Sequence, residues 1–125
     1  MMRKKIMIQQ VEKRNEQLWL LAEEPPFSLE NAAPKRYMLV DSDLLSFVYI
    51  IEAGDEFIYI AIPQPVWPEV KQALHQPLSV FLQCGAAKME LPGFQEELAY
   101  LVDNIEGNAN YGEEMEKAVK DVFLT

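Results

Sequence analysis

The sequence predicts an α+β domain: a mainly antiparallel sheet of about 6–7 strands, one short helix, and two C-terminal helices packed on the sheet. Three observations carry this. Strand-length segments with period-two alternation come in hairpin-like pairs. Two segments near the C-terminus have the i, i+4, i+7 spacing of amphipathic helices. No strand alternates regularly with a helix, as a doubly wound fold would require. One domain is expected over residues 1–125, because a chain of this length with 50% hydrophobic residues can bury one core but is short for two.

Ile6 to Val11 and Leu18 to Ala22 read as strands joined by the polar loop Glu12-Lys13-Arg14-Asn15-Glu16. Glu24-Pro25-Pro26 stops the second, since proline cannot donate to a ladder. Residues 24–35 are then a long irregular connection, which Phe27 and Leu29 are expected to pin to the core. Arg36 to Val40 read as a third strand ending at Asp41-Ser42-Asp43. Leu44 to Glu52 and Glu56 to Pro63 form the clearest hairpin, with Ala53-Gly54-Asp55 as its turn. With Glu52 set opposite Glu56, period-two alternation sorts the hairpin into two apolar faces. One is aliphatic, carrying Ser46, Val48, Ile50, Ile58, Ile60 and Ile62; the other is aromatic, carrying Phe47, Tyr49, Phe57 and Tyr59 together with Leu45, Ile51 and Ala61. Such a pair belongs in the middle of a sheet covered on both sides, by this chain's helices or by a second copy.

Val66 to Gln76 read as a short helix with Pro68 in its first turn, where a missing N–H costs little, and Pro77 closing it. Leu78, Val80, Leu82 and Cys84 alternate with Ser79, Phe81 and Gln83, and Gly85-Ala86 turns into a further strand at Ala87 to Leu91. Phe94, Leu98, Leu101, Val102 and Ile105 mark one terminal helix; Met115, Ala118, Val119, Val122 and Phe123 mark the other. Gly107 suits the C-cap of the first, and acids open the second as the helix dipole prefers.

Charge and composition narrow the function classes. Twenty Asp+Glu against eleven Lys+Arg give a net charge of -9, which argues against a nucleic-acid binder. The charge is uneven: residues 1–40 hold seven basic and five acidic side chains, so +2, and residues 41–125 hold four and fifteen, so -11. One Cys and one His exclude a disulfide scaffold and a zinc site of Cys and His alone. Arg3-Lys4-Lys5 precede only three apolar or near-apolar residues, far short of an export signal, and no apolar run has membrane length. With Cys84 unpaired, a cytoplasmic location is expected, with neither membrane nor nucleic acid as partner.

Three strings together resemble a known family. They are Val40-Asp41-Ser42-Asp43 leading into Leu45-Ser46-Phe47 and Tyr49-Ile50; Phe57-Ile58-Tyr59 with Ile62-Pro63; and Asn104-Ile105-Glu106-Gly107-Asn108-Ala109-Asn110-Tyr111-Gly112-Glu113-Glu114. On these the chain resembles the YjbL family, small uncharacterised proteins of low-GC Gram-positive bacteria, along nearly its whole length. The resemblance implies a bacterial cytosolic protein. It brings no catalytic residues.

The standard catalytic and cofactor signatures are missing: no phosphate loop, no GxGxxG after a strand, no HExxH and no CxxC. No catalytic, cofactor or metal residue is therefore assigned, and no cofactor is expected. His75 ends a short helix and reads as a dipole-favoured cap. Cys84 shares a strand face with Leu78, Val80 and Leu82 and reads as a buried inert thiol. Asp41-Ser42-Asp43 reads as turn chemistry, with a hard divalent cation as the alternative. Asp103 to Glu114 has acids at both ends of an EF-hand-like span but Ile105 and Gly107 at ligand positions, so that reading fails. Pro65-Val66-Trp67-Pro68 matches PxxP in letters, and its place makes it strand exit and helix start.

Two surfaces remain. The amides and phenol of Asn108, Asn110 and Tyr111 form a candidate recognition loop between the terminal helices. Phe47, Tyr49, Phe57 and Tyr59 form a candidate interface, being residue types that dominate interface hot spots. The function expected is a non-enzymatic protein-interaction or regulatory module, with an unknown protein or a second copy as partner. The alternative is a small-molecule-binding or metal-assisted catalytic domain using Asp41, Asp43 or the Asn108–Tyr111 loop.

Overall fold

The computed structural model describes residues 4–124; Met1 to Arg3 of the basic start, and Thr125, lie outside the described residues. The fold is α+β, with eight strands in two four-stranded sheets rather than one sheet. The strands are β1 (Lys4–Met7), β2 (Gln10–Arg14), β3 (Gln17–Ala22), β4 (Ala33–Asp41), β5 (Ser46–Ala53), β6 (Glu56–Pro63), β7 (Ser79–Cys84) and β8 (Ala87–Glu90). The first sheet has the order β1-β6-β5-β4 and the second β2-β3-β7-β8. Each is antiparallel except for one parallel pair, β1 with β6 and β3 with β7. The expected first strand is thus two strands: the Ile8 N–H donates to Ala61 O of the first sheet and the next N–H, on Gln9, to Leu21 O of the second. Successive amides point in opposite directions along an extended chain, so one continuous segment can serve both sheets.

The central hairpin closes one residue tighter than expected. Ala53 pairs with Glu56 and Glu52 with Phe57, so the loop is Gly54-Asp55 alone. Gly54 has φ +64° at the first loop position, where tight hairpin turns need a positive φ. A slip of one residue exchanges the two faces of β6 relative to β5. Phe47, Tyr49 and Ile51 therefore share a face with Ile58, Ile60 and Ile62, and all six are fully buried.

The inner faces of both sheets and the helices feed one core. The helix expected over Val66 to Gln76 is two short turns, α1 (Trp67–Val70) and α2 (Gln72–His75). Between them the Leu74 N–H bonds three residues back to Lys71 O, although Lys71 keeps helical angles. Then follow α3 (Phe94–Ile105) and α4 (Glu113–Phe123), and α3 buries the five residues its periodicity marks. Of those marked on α4, Met115, Ala118, Val119 and Phe123 are buried and Val122 is half-buried. Phe27 and Leu29 of the long connection pack half-buried against the core.

Tyr49 shows how the inner face is tied to α3. Its ring stacks on Phe94 with centroids 6.0 Å apart, and its hydroxyl donates to Pro92 O at 2.6 Å. Burial pushes the phenol up to about 12. The unfolded phenol ionises near 10, so stability is full below pH 10 and falls by about 1.4 kcal/mol per unit as pH rises toward 12. Tyr49→Phe is expected to cost about 1 kcal/mol at pH 8 through the lost hydrogen bond. It should also lack that share of the alkaline slope, so the two proteins converge near about pH 11. Urea titrations at both pH values check this; a constant difference would sink it.

Candidate functional site

The outer face of the first sheet is built by cross-strand rows. One row runs Met7, Ala61, Val48 and Leu39 across all four strands; the next runs Lys5, Tyr59 and Ile50. Phe57 stands on the same face opposite Glu52. Val48, Ile50 and Ala61 are buried at its base, while Met7, Leu39 and Phe57 project from it at 43%, 37% and 48% exposure. Aliphatic and aromatic residues suit a pleated surface, so the segments that make these strands also make an apolar face, and it is left open to solvent at these three positions.

Two shallow depressions of about 430 and 470 Å³ lie on this face and share Leu39 and Tyr59. Lys5, Asp41 and Asp43 line the first; Lys35, Arg36 and Phe57 line the second. Lys35 also meets Glu52 at 3.6 Å. A third depression continues around β4 toward α3, where Tyr37 and Leu39 adjoin Tyr100 and Tyr111. Arg36, at φ +55°, lies in the stretch of β4 where the register shifts, and Glu97 Oε1 of α3 accepts the Met38 N–H at 3.1 Å. That strand edge is therefore irregular and partly capped, which disfavours edge-to-edge pairing.

The structure separates the four hairpin aromatics. Phe47 and Tyr49 are fully buried in the core, whereas Phe57 and Tyr59 lie on the opposite, outer face. The single aromatic face expected from sequence is thus corrected, and the cause is the two-residue turn. Tyr111, from the candidate recognition loop, is half-buried and lies near this outer surface through Tyr37 and Leu39. Asn108 Oδ1 accepts the Asn110 N–H at 2.9 Å and so caps the short 3₁₀ turn Ala109–Tyr111. The positive φ values in this loop belong to Gly107 and Gly112, and Asn108 is extended at φ -114°. Asn110 is exposed.

Asp41 Oδ1 accepts the Leu44 N–H at 3.2 Å, as an Asp-Ser-Asp turn predicts. Among the described residues no three His, Cys, Asp or Glu side chains gather as a metal would need. Cys84 is a buried free thiol, and burial followed by the nearby Glu24 charge pushes its pKa up, away from thiolate chemistry. Among the described residues no helix is long and apolar enough to cross a membrane.

Sequence reasoning missed Met7, Tyr37 and Leu39 as surface residues. The signal was present for two of them: Tyr37 and Leu39 alternate with Met38 and Val40, which the core takes.

Fold and site together define a two-sheet α+β domain that presents an open, apolar sheet face. The chain belongs to the family of unknown function UPF0738, which it matches over residues 6–123. It is 56% identical to a UPF0738 protein of Geobacillus sp. strain WCH70, over 99% of this chain and 100% of that one. It is 47% identical to one from Geobacillus thermodenitrificans, over 98% of each chain. A Bacillus cereus UPF0738 protein is 44% identical over 98% of this chain and 100% of its own. No solved structure matches the chain. The expected family of small uncharacterised proteins of low-GC Gram-positive bacteria is thus found, under the name UPF0738.

Proposed function

We propose that this chain is a non-enzymatic, cytoplasmic protein-interaction or regulatory module whose docking surface is the outer face of the first sheet. The observation that carries the reading is that Met7, Leu39 and Phe57 project from three separate parts of one sheet face whose base between them, Val48, Ile50 and Ala61, is apolar. A contiguous apolar surface rimmed by polar groups is what interaction sites look like, and lone exposed apolar residues are not. Leu39 borders all three depressions, so it is the position to perturb.

The test uses the tagged full chain in a Bacillus host, wild type beside Leu39→Glu, with circular dichroism confirming that the variant folds. A protein held in stoichiometric amount by the wild type and lost by the variant supports the reading. Identical recovery with both, from a chain that also sediments as a monomer, sinks it. The second reading, a ligand held by Lys5, Asp41 and Asp43, rests on their shared depression. It predicts a rise in melting temperature with a divalent cation or an anionic metabolite at millimolar concentration.

A further inference from the structure

We propose that the occupant of this face is a second copy of the chain, in an isologous dimer formed by packing the two outer faces of the first sheet against each other. The inference rests on the interaction-module reading above and names its partner.

Charge argues for self-pairing. The chain as a whole carries -9, so two copies repel over most approaches. The face is different: Lys5, Lys35 and Arg36 stand around it against Asp41, Asp43 and Glu52, three charges of each sign. A strongly basic partner would be drawn to the acidic remainder of the molecule instead. In a two-fold interface each patch meets its own copy, so a patch with both signs can complement itself where a single-signed one cannot.

Size and shape agree. Four strands spaced about 4.8 Å apart, three of them eight or nine residues long and β1 only four, give a face on the order of 450 Å² in projection. Its corrugated side-chain surface is larger than that, which approaches the roughly 600 Å² per partner at the low end of stable interfaces. Phe57 and Met7 project on either side of the shared Leu39–Tyr59 ridge, and the two depressions beside that ridge offer places for the partner's projecting side chains. The irregular β4 edge favours face-to-face packing over sheet extension.

Sedimentation velocity on the full chain tests this, at about 100 µM and at about 1 µM, concentrations that bracket a micromolar Kd. The wild type is expected at twice 14.4 kDa at the higher concentration. Phe57→Glu and Met7→Glu should each sediment as monomers with unchanged circular dichroism. Ser79→Glu, which places the same added charge on the second sheet, should stay dimeric. A wild type at 14.4 kDa at the higher concentration overturns the dimer, as does a dimer indifferent to both face variants. A monomeric wild type whose partner capture still depends on Leu39 overturns the second copy alone. A monomer without such capture overturns the interaction reading as well.

Discussion

Trp67→Ala is expected to destabilise the protein by about 3–5 kcal/mol, the range for deleting a large buried aromatic. Trp67 is fully buried at the start of α1, with Phe47 of β5 at 5.2 Å and Phe123 of α4 at 5.5 Å between ring centroids. Phe47 and Phe123 meet edge to face at 5.8 Å, so three rings from three distant parts of the chain close on one another. The indole N–H donates to Ile62 O at 2.9 Å, where β6 ends. Alanine removes the ring that links sheet, short helix and terminal helix, together with its hydrogen bond to Ile62 O. Against a typical total of about 5–15 kcal/mol this is a large fraction. The urea midpoint should fall steeply with little change in m-value. Trp67→Phe should recover most of the packing and lose about 1 kcal/mol for the hydrogen bond. A loss below about 1 kcal/mol for the alanine variant would show that α4 does not depend on this cluster.

The second large effect is a contrast between two phenylalanines on neighbouring strands. Phe47→Asp should leave no folded protein, because it empties a buried ring site and puts an unpaired carboxylate there, at a cost of several kcal/mol. Phe57→Asp should cost only about 1 kcal/mol when measured at about 1 µM, where a micromolar dimer is largely dissociated, because the ring is half exposed and the main penalty is a new carboxylate opposite Glu52. Thermal melts followed by circular dichroism separate the two. Equal damage from both, or equal tolerance, would contradict the pairing of Glu52 with Phe57 that sets them on opposite faces.

Much of the fold was legible because helical and strand periodicity are properties of the local chain. The apolar positions of α3 project onto one stripe at 3.6 residues per turn whatever they pack against, and all five are buried. The bounds of β6, Glu56–Pro63, follow from alternation flanked by Gly54-Asp55 and Pro65. The turn at Asp41-Ser42-Asp43 follows from side-chain chemistry. Of the candidate site, Phe57, Tyr59 and Tyr111 were visible as aromatic residues in the right segments. Their grouping with Leu39 and Tyr37 was not, because β4 reaches them through cross-strand neighbours rather than along the chain.

By itself the sequence determined the α+β class, the order of elements, the two amphipathic helices and the acidic balance. Only the tertiary structure decided three things: the division into two sheets, the parallel pairing of β1 with β6 across more than 50 residues, and which hairpin residues face solvent. The physical reason is that sheet pairing is non-local and its side-chain period is two. Closing the Gly54 turn with two loop residues instead of three leaves every local preference satisfied. It nonetheless sends Phe47 and Tyr49 into the core and turns Phe57 and Tyr59 outward, onto the outer face of the first sheet.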